Sequence, residues 1–320
     1  MKVLVTGRVP DHVRERISRE HEVWTNTEDK PMPRGELLER IVDRDGLLCT
    51  IPDRIDEELL TRAPELKMIA TATVGVDHVD VEAATARGIW VSNTPGVLDD
   101  ATADVTFALI LAVARRVVEG DRRTREGSFK YFAPMLFLGS DVSGKTLGII
   151  GLGKIGRVVA KRASGFNMPV IYHNRRRIPP EEERALNARY VDMETILSEA
   201  DFVSLHVPLT DQTRHLVGER ELMTMKPTAF LINASRGPVV DERALLTALR
   251  KKAIAGAGLD VYENEPALTP GLADLKNVVL LPHVGSATLE TRTKMAELAA
   301  ENLLTGLRGD IPPNCLNCVR

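Results

Sequence analysis

Short apolar runs separated by amphipathic stretches set the rhythm of the first hundred residues. Runs at 3–6, 22–24, 46–50, 68–71 and 90–92 read as strands, and 10–20, 34–42, 56–63 and 81–87 read as helices. Parallel strands need a crossover connection, so this alternation predicts a parallel, doubly wound sheet. Residues 100–120 carry apolar side chains on nearly every side, which predicts a helix that is buried or lies in a subunit interface. An irregular stretch at 127–143 holds Phe129, Tyr131, Phe132 and Phe137 and reads as a connection packed on a surface. The alternation restarts at Thr146, with strands predicted at 146–150, 169–172, 202–205, 229–233, 256–260 and 278–281. Helices are predicted between them at 155–165, 192–199, 219–224 and 241–251, and a last helix at 289–307. Six strands with intervening helices are what a full dinucleotide fold requires. The expected class is α/β, with two similar doubly wound domains.

Composition narrows the functional classes. A chain of 320 residues exceeds one ordinary core and argues for two domains. With a formal net charge of −3 and no basic block, a nucleic-acid partner is not expected. The longest apolar stretch, 105–114, is too short to span a bilayer. The opening Met1-Lys2-Val3-Leu4-Val5 leads into Gly7 and Pro10 as a strand and not as a signal peptide, so a cytoplasmic protein is expected. Three cysteines offer no disulfide framework. Cys315 and Cys318 form a C-x-x-C read as an incidental tail, and with Cys49 alone remaining and no paired histidines, no metal site is expected.

Gly151-Leu152-Gly153-Lys154-Ile155-Gly156 is a G-x-G-x-x-G placed between an apolar strand and a helix, the context that gives the motif its meaning. Gly151 would allow the tight turn, Gly153 the approach of a pyrophosphate, and Gly156 close packing of helix on strand. The helix N-terminus would face the phosphates with its partial positive charge. A cofactor lacking the 2′-phosphate calls for Asp or Glu at the end of the next strand. The chain has Asn174, Arg175, Arg176 and Arg177 there. Guanidinium groups bind a phosphate in bidentate fashion, so Asn174, Arg175 and Arg176 favour NADPH, with NADH as the second candidate and Arg177 as a bystander.

Three polar segments follow apolar strands in the second half of the chain. They are Asn233-Ala234-Ser235-Arg236-Gly237, then Gly258-Leu259-Asp260-Val261-Tyr262-Glu263-Asn264-Glu265-Pro266, then Leu281-Pro282-His283-Val284-Gly285-Ser286-Ala287. Open α/β sheets bind ligands at the carboxyl ends of their strands, where these segments fall. Asp260 ends a strand, either as an acceptor for the nicotinamide carboxamide or as a strand-end cap. Thr102, Ala234 and Ser235 are expected to line the cofactor cleft, and Pro208 its adenosine side. His173, His206 and His215 are expected to be structural or exposed.

At these residues the sequence resembles the D-isomer-specific 2-hydroxyacid dehydrogenase family. Val74-Gly75-Val76-Asp77, Thr94-Pro95-Gly96-Val97-Leu98, Pro208-Leu209-Thr210 and Pro282-His283-Val284-Gly285-Ser286-Ala287-Thr288 extend the resemblance along nearly the whole chain. Within the family it looks most like the glyoxylate/hydroxypyruvate reductase B type, also called 2-ketogluconate reductase. Phe166-Asn167-Met168-Pro169, Asn187-Ala188-Arg189-Tyr190 and Asn314-Cys315 carry that closer likeness.

The resemblance implies two Rossmann-like domains, with the cofactor domain inserted in the substrate domain. Residues 1–99 and 287–320 would form the substrate domain and 100–286 the NAD(P)-binding domain, whereas periodicity alone places a boundary only near 100–145. It further implies that Arg236 binds the substrate carboxylate and polarises the keto oxygen, a task suited to a planar guanidinium. His283 would pass a proton to the keto oxygen, and Glu265 would hold the other ring nitrogen and fix the tautomer. Backbone N–H groups of Val74 and Gly75 would hold the carboxylate. The implied activity is reduction of glyoxylate and hydroxypyruvate to D-2-hydroxy acids by a homodimer that uses the helix from Asp100 and the segment at 127–138 as its interface. Rivals within the class are reduction of 2-ketogluconate and dehydrogenation of phosphoglycerate or phosphite. The rival outside it is a corepressor-like protein that senses NAD(P)(H) without turnover.

Overall fold

The computed structural model describes residues 1–318. The chain forms two compact units, Met1–Leu98 with the segment beginning at Ala287, and Asp99–Ser286.

The first unit runs β1 (Lys2–Val5), α1 (Asp11–Ser18), β2 (Glu22–Thr25), α2 (Arg34–Arg40), β3 (Gly46–Cys49), α3 (Glu57–Arg62), β4 (Met68–Thr71), α4 (Val81–Ala86) and β5 (Trp90–Ser92). Its five strands lie in the order β2-β1-β3-β4-β5, all parallel. Such strands are buried on both faces, which explains apolar runs such as Leu47-Leu48-Cys49 where a one-sided sheet would alternate.

The second unit runs α5 (Asp99–Ala114), α6 (Val117–Arg125), β6 (Leu147–Ile150), α7 (Lys154–Ala163), β7 (Val170–His173), α8 (Pro180–Leu186), β8 (Ala188–Tyr190) and α9 (Met193–Glu199). It continues with β9 (Phe202–Leu205), α10 (Glu219–Thr224), β10 (Phe230–Asn233), α11 (Glu242–Arg250), β11 (Gly256–Leu259) and β12 (Val278–Leu280). Its seven parallel strands are ordered β12-β11-β10-β9-β6-β7-β8, so the winding reverses between β6 and β9. A last helix, α12 (Leu289–Leu307), returns to the first unit. It packs Leu303 and Leu307 over Gly46, where an added Cβ would meet Leu307 at 2.9 Å. Truncating a fully buried leucine such as Leu303 to alanine should cost about 2–5 kcal/mol.

Helix α5 is largely buried, and its closeness to the sheet explains the Gly-Ala-Gly of β11. Added Cβ atoms at Gly256 and Gly258 would meet Val113 at 3.1 Å and Leu109 at 3.0 Å. Among the described residues, no helix is long and apolar enough to cross a membrane.

Four features differ from the pattern reading. Helix α8, which opens on Pro180 with three glutamates in its first turn, falls where no element was expected. The single helix expected over 100–120 is two, because Arg116 takes a left-handed conformation (φ 55°) and starts α6. The second sheet has a seventh strand, β8, which is three residues at an edge and too short to show an alternating pattern. The C-terminal tail is no bystander: Cys315 and Cys318 are joined in a disulfide, and Ser92 forms an antiparallel bridge with Cys315. Leu316 N–H donates to Val91 O at 2.8 Å, and Val91 N–H donates to Asn317 Oδ1 at 2.8 Å. The tail thus caps the exposed edge of β5, which a polar C-x-x-C string did not signal.

Candidate active site

Glycines build one end of the site at the reversal between β6 and β9. Gly151 (φ 98°) turns the chain after β6, and an added Cβ would lie 2.6 Å from His206 O beyond β9. At Gly156 a Cβ would sit 2.5 Å from Gly151 O, so only glycine lets α7 start this close to its own strand. At Gly153 nothing lies within 4 Å, so the backbone at the helix start faces open space. Lys154 is exposed there, Leu152 is buried, and Ile155 packs into the core beneath. A ten-residue helix with free leading N–H groups and an accessible glycine fits a dinucleotide pyrophosphate.

The loop after β7 carries the arginines. Arg175 and Arg176 are exposed, and Arg175 Nη1 donates to Gln212 Oε1 at 3.3 Å. Asn174, expected to join them at the ribose, turns its carboxamide to the glycine turn. Its Oδ1 accepts the Leu152 N–H at 2.6 Å. Arg177 is engaged with Glu183. Pro208 is exposed, and its carbonyl accepts from Thr213 Oγ1 at 2.6 Å.

Arg236, Glu265 and His283 follow β10, β11 and β12, three neighbouring strands. The His283 Nδ1 and Glu265 Oε2 atoms are 2.8 Å apart, and the other Glu265 oxygen accepts the Tyr262 N–H at 2.9 Å. Burial pushes the Glu265 carboxyl up, but the hydrogen bond and charge of His283, the Tyr262 N–H and the charge of Arg236 outweigh it and hold it below the ordinary range. Glu265 is therefore an ionised acceptor beside the imidazole Nδ1.

Sequence reasoning passed over the residues that hold this trio. Buried Asn233 shapes the Arg236 turn: its Oδ1 accepts from Ser235 N–H at 3.1 Å and Ser235 Oγ at 2.8 Å, and its Nδ2 donates to Arg236 O at 2.9 Å. Ala234 is buried beside it. At Gly237 an added Cβ would fall 1.8 Å from Tyr262 O, so the Arg236 turn and the Glu265 turn touch backbone to backbone. Buried Glu242 accepts the Glu263 N–H and Thr269 Oγ1, each at 2.7 Å, and pins both sides of Glu265. The one available signal was polar residues at the ends of apolar strands; their long-range partners have no local signature.

Asp260 is a cap. Its two oxygens accept the Val284 and Gly285 N–H groups at 2.8 Å each, and its carbonyl accepts the His283 N–H at 2.9 Å. Burial raises its carboxyl in spite of the two N–H bonds. The clamp holds His283 at φ 54°, a left-handed conformation that costs a non-glycine residue about 1–3 kcal/mol. Thr102 is buried with its side chain beside Gly285, where an added Cβ would meet it at 3.5 Å. His206 pairs its Nε2 with Ser204 Oγ at 2.8 Å, and burial lowers its pKa to about 4. His215 pairs with Glu263, and His173 Nδ1 lies 3.0 Å from Val191 O.

Val74 and Gly75 belong to the first unit. Asn93 Nδ2 donates to Val74 O at 2.7 Å and Thr73 Oγ1 to Gly75 O at 2.6 Å, so both carbonyls of the turn are occupied.

Residues 107–285 match the model of the D-isomer specific 2-hydroxyacid dehydrogenase NAD binding domain. The chain is 53% identical to the glyoxylate reductase of Thermococcus litoralis over 320 residues, covering 99% of this chain and 96% of that one. A Thermus thermophilus protein of known structure superposes with a TM-score of 0.92 at 50% identity, covering 99% of this chain and 100% of that one. An NADPH-dependent glyoxylate/hydroxypyruvate reductase from Sinorhizobium meliloti, solved with NADP and malonate, gives a TM-score of 0.87 at 32% identity over 98% and 96% of the two chains. With a family model over residues 107–285 and a relative 53% identical along nearly the whole chain, beside a dinucleotide-type glycine turn, the chain belongs to the D-isomer-specific 2-hydroxyacid dehydrogenase family.

Proposed function

We propose that this protein is an NADPH-preferring reductase of glyoxylate and hydroxypyruvate, with His283 as the proton donor. The observation that carries the reading is the 2.8 Å contact between His283 Nδ1 and Glu265 Oε2 at the carboxyl ends of the strands. A nicotinamide cofactor, when bound, would provide the hydride for the keto carbon. Arg236 holds the substrate carboxylate and draws charge toward the keto oxygen as it becomes an alkoxide. His283 delivers the Nε2 proton to that oxygen, and Glu265 stabilises the imidazolium before transfer.

Arg175 and Arg176 support the NADPH preference, since no carboxylate stands beside them to repel a 2′-phosphate. The S. meliloti enzyme, named for glyoxylate and hydroxypyruvate with NADPH, supports the same reading. The test is a panel of 2-keto acids with NADPH and with NADH, followed by loss of nicotinamide absorbance. Glyoxylate and hydroxypyruvate with NADPH should give the highest kcat/KM. A protein that binds NADPH but turns over no 2-keto acid would be the sensing corepressor instead.

We also propose a homodimer through the segment at 127–138. Phe132 and Met135 are 83% and 81% exposed, in one segment with exposed Phe129 and Tyr131, and clustered exposed apolar side chains mark interaction surfaces. Light scattering at micromolar concentration should report twice the chain mass, and a monomer would reject the assignment.

A further inference from the structure

The loop that presents Arg175 and Arg176 is staked on both sides. On the near side, Asn174 Oδ1 accepts the Leu152 N–H at 2.6 Å, and Asn174 O accepts from Tyr190 Oη at 3.2 Å. On the far side, Arg177 Nε and Nη2 donate to the two oxygens of Glu183 at 2.7 and 2.6 Å. The hydroxyl of Tyr172, a fully buried side chain, donates to Glu183 at 2.6 Å and accepts the Ile178 N–H at 3.1 Å. The Arg177 guanidinium also lies 5.7 Å from the centre of the Tyr190 ring.

This arrangement has two consequences. The main chain is hydrogen-bonded at 174 and at 178 and Arg177 is held through its side chain, which brackets Arg175 and Arg176. The third arginine is neutralised by Glu183, whose carboxyl the Arg177 and Tyr172 hydrogen bonds hold down to about 2. The loop therefore offers a ligand Arg175 and Arg176 and withholds Arg177.

We infer that Tyr172, Glu183 and Arg177 form a positioning cage that sets cofactor selectivity by holding Arg175 and Arg176 where a 2′-phosphate binds. These are positioning residues, since they act through the two arginines and touch no cofactor. The inference rests on the NADPH reading above.

The test compares wild type with Tyr172→Phe, Glu183→Gln and Arg175→Ala. Equilibrium binding of NADPH and of NADH is measured for each, with kcat and KM on glyoxylate. Tyr172→Phe and Glu183→Gln should each weaken NADPH roughly tenfold, the scale of one lost hydrogen bond to a charged group. NADH binding and kcat at saturating cofactor should stay within about twofold, a split that general loosening of the fold would not produce. Equal losses for both cofactors, or no change, would overturn the cage. Tighter NADPH binding by Glu183→Gln would also overturn it, because a freed Arg177 would then be a phosphate ligand. Arg175→Ala separates the two levels. If it lowers NADPH selectivity while the cage variants do not, only the cage fails. If it leaves selectivity unchanged, the NADPH reading fails with it. Should Glu183→Gln not fold, the near-isosteric Tyr172→Phe carries the test alone.

Discussion

The peptide N–H of His283 donates to the carbonyl of Asp260 at 2.9 Å, and the Asp260 carboxylate closes the clamp on the next two N–H groups. Strand β11 thereby sets the backbone of a residue that follows β12. The imidazole stands on a residue of left-handed backbone that the buried Asp260 side chain holds in place.

Asp260→Ala leaves the Val284 and Gly285 N–H groups without their acceptor. Each orphaned buried donor costs about 1–3 kcal/mol, so Tm should fall by several degrees. Turnover should fall further than substrate binding, because His283 loses its left-handed setting. Unchanged kcat with a lowered Tm would separate the clamp from catalysis.

Glu265→Gln keeps the shape and removes the charge that faces the imidazole. The expected loss in kcat is roughly 100-fold, the low end of general acid–base contributions, with KM for the keto acid little changed. Steady-state kinetics on glyoxylate checks it, and a pure KM effect would contradict the orienting role.

Gly237→Ala would drive a methyl group into the Tyr262 carbonyl, 1.8 Å from the built Cβ. The Arg236 and Glu265 turns must then part. The variant should either fail to fold or keep its fold with turnover lost. Circular dichroism with an activity assay distinguishes these outcomes from the wild-type behaviour that would refute the contact.

His206 gives a pH dependence of known sign. Its buried ring holds off protonation until about pH 4, whereas the unfolded side chain protonates near its ordinary value of about 6.5. In that window the unfolded state binds the extra proton, so stability falls on acidification and stops falling below the folded value. The His206→Asn variant should show a flatter Tm profile between pH 6.5 and 4 than wild type. Parallel profiles would show that the ring is solvated.

Much of this architecture is legible in the sequence because its signals are local. Apolar runs marked the long strands, and glycine spacing marked the turn after β6. The segments with Arg236, Glu265 and His283 were visible as polar strings at strand ends. What escaped was set by distance or by rotamer. Nothing in Asn174 says that its carboxamide turns to Leu152, and the ends of Glu242 and Thr269 meet across 27 positions of sequence. The break at Arg116 carries no glycine or proline, and β8 is too short for a period. The bond between Cys315 and Cys318 depends on how a tail lies on β5.

The most direct test of the central claim is His283→Ala, measured for cofactor binding and for glyoxylate turnover in one preparation. The account predicts NADPH binding within about twofold of wild type and a turnover loss of about 100-fold or more. Turnover near the wild-type rate with cofactor still bound would remove His283 from the proton transfer and contradict the mechanism.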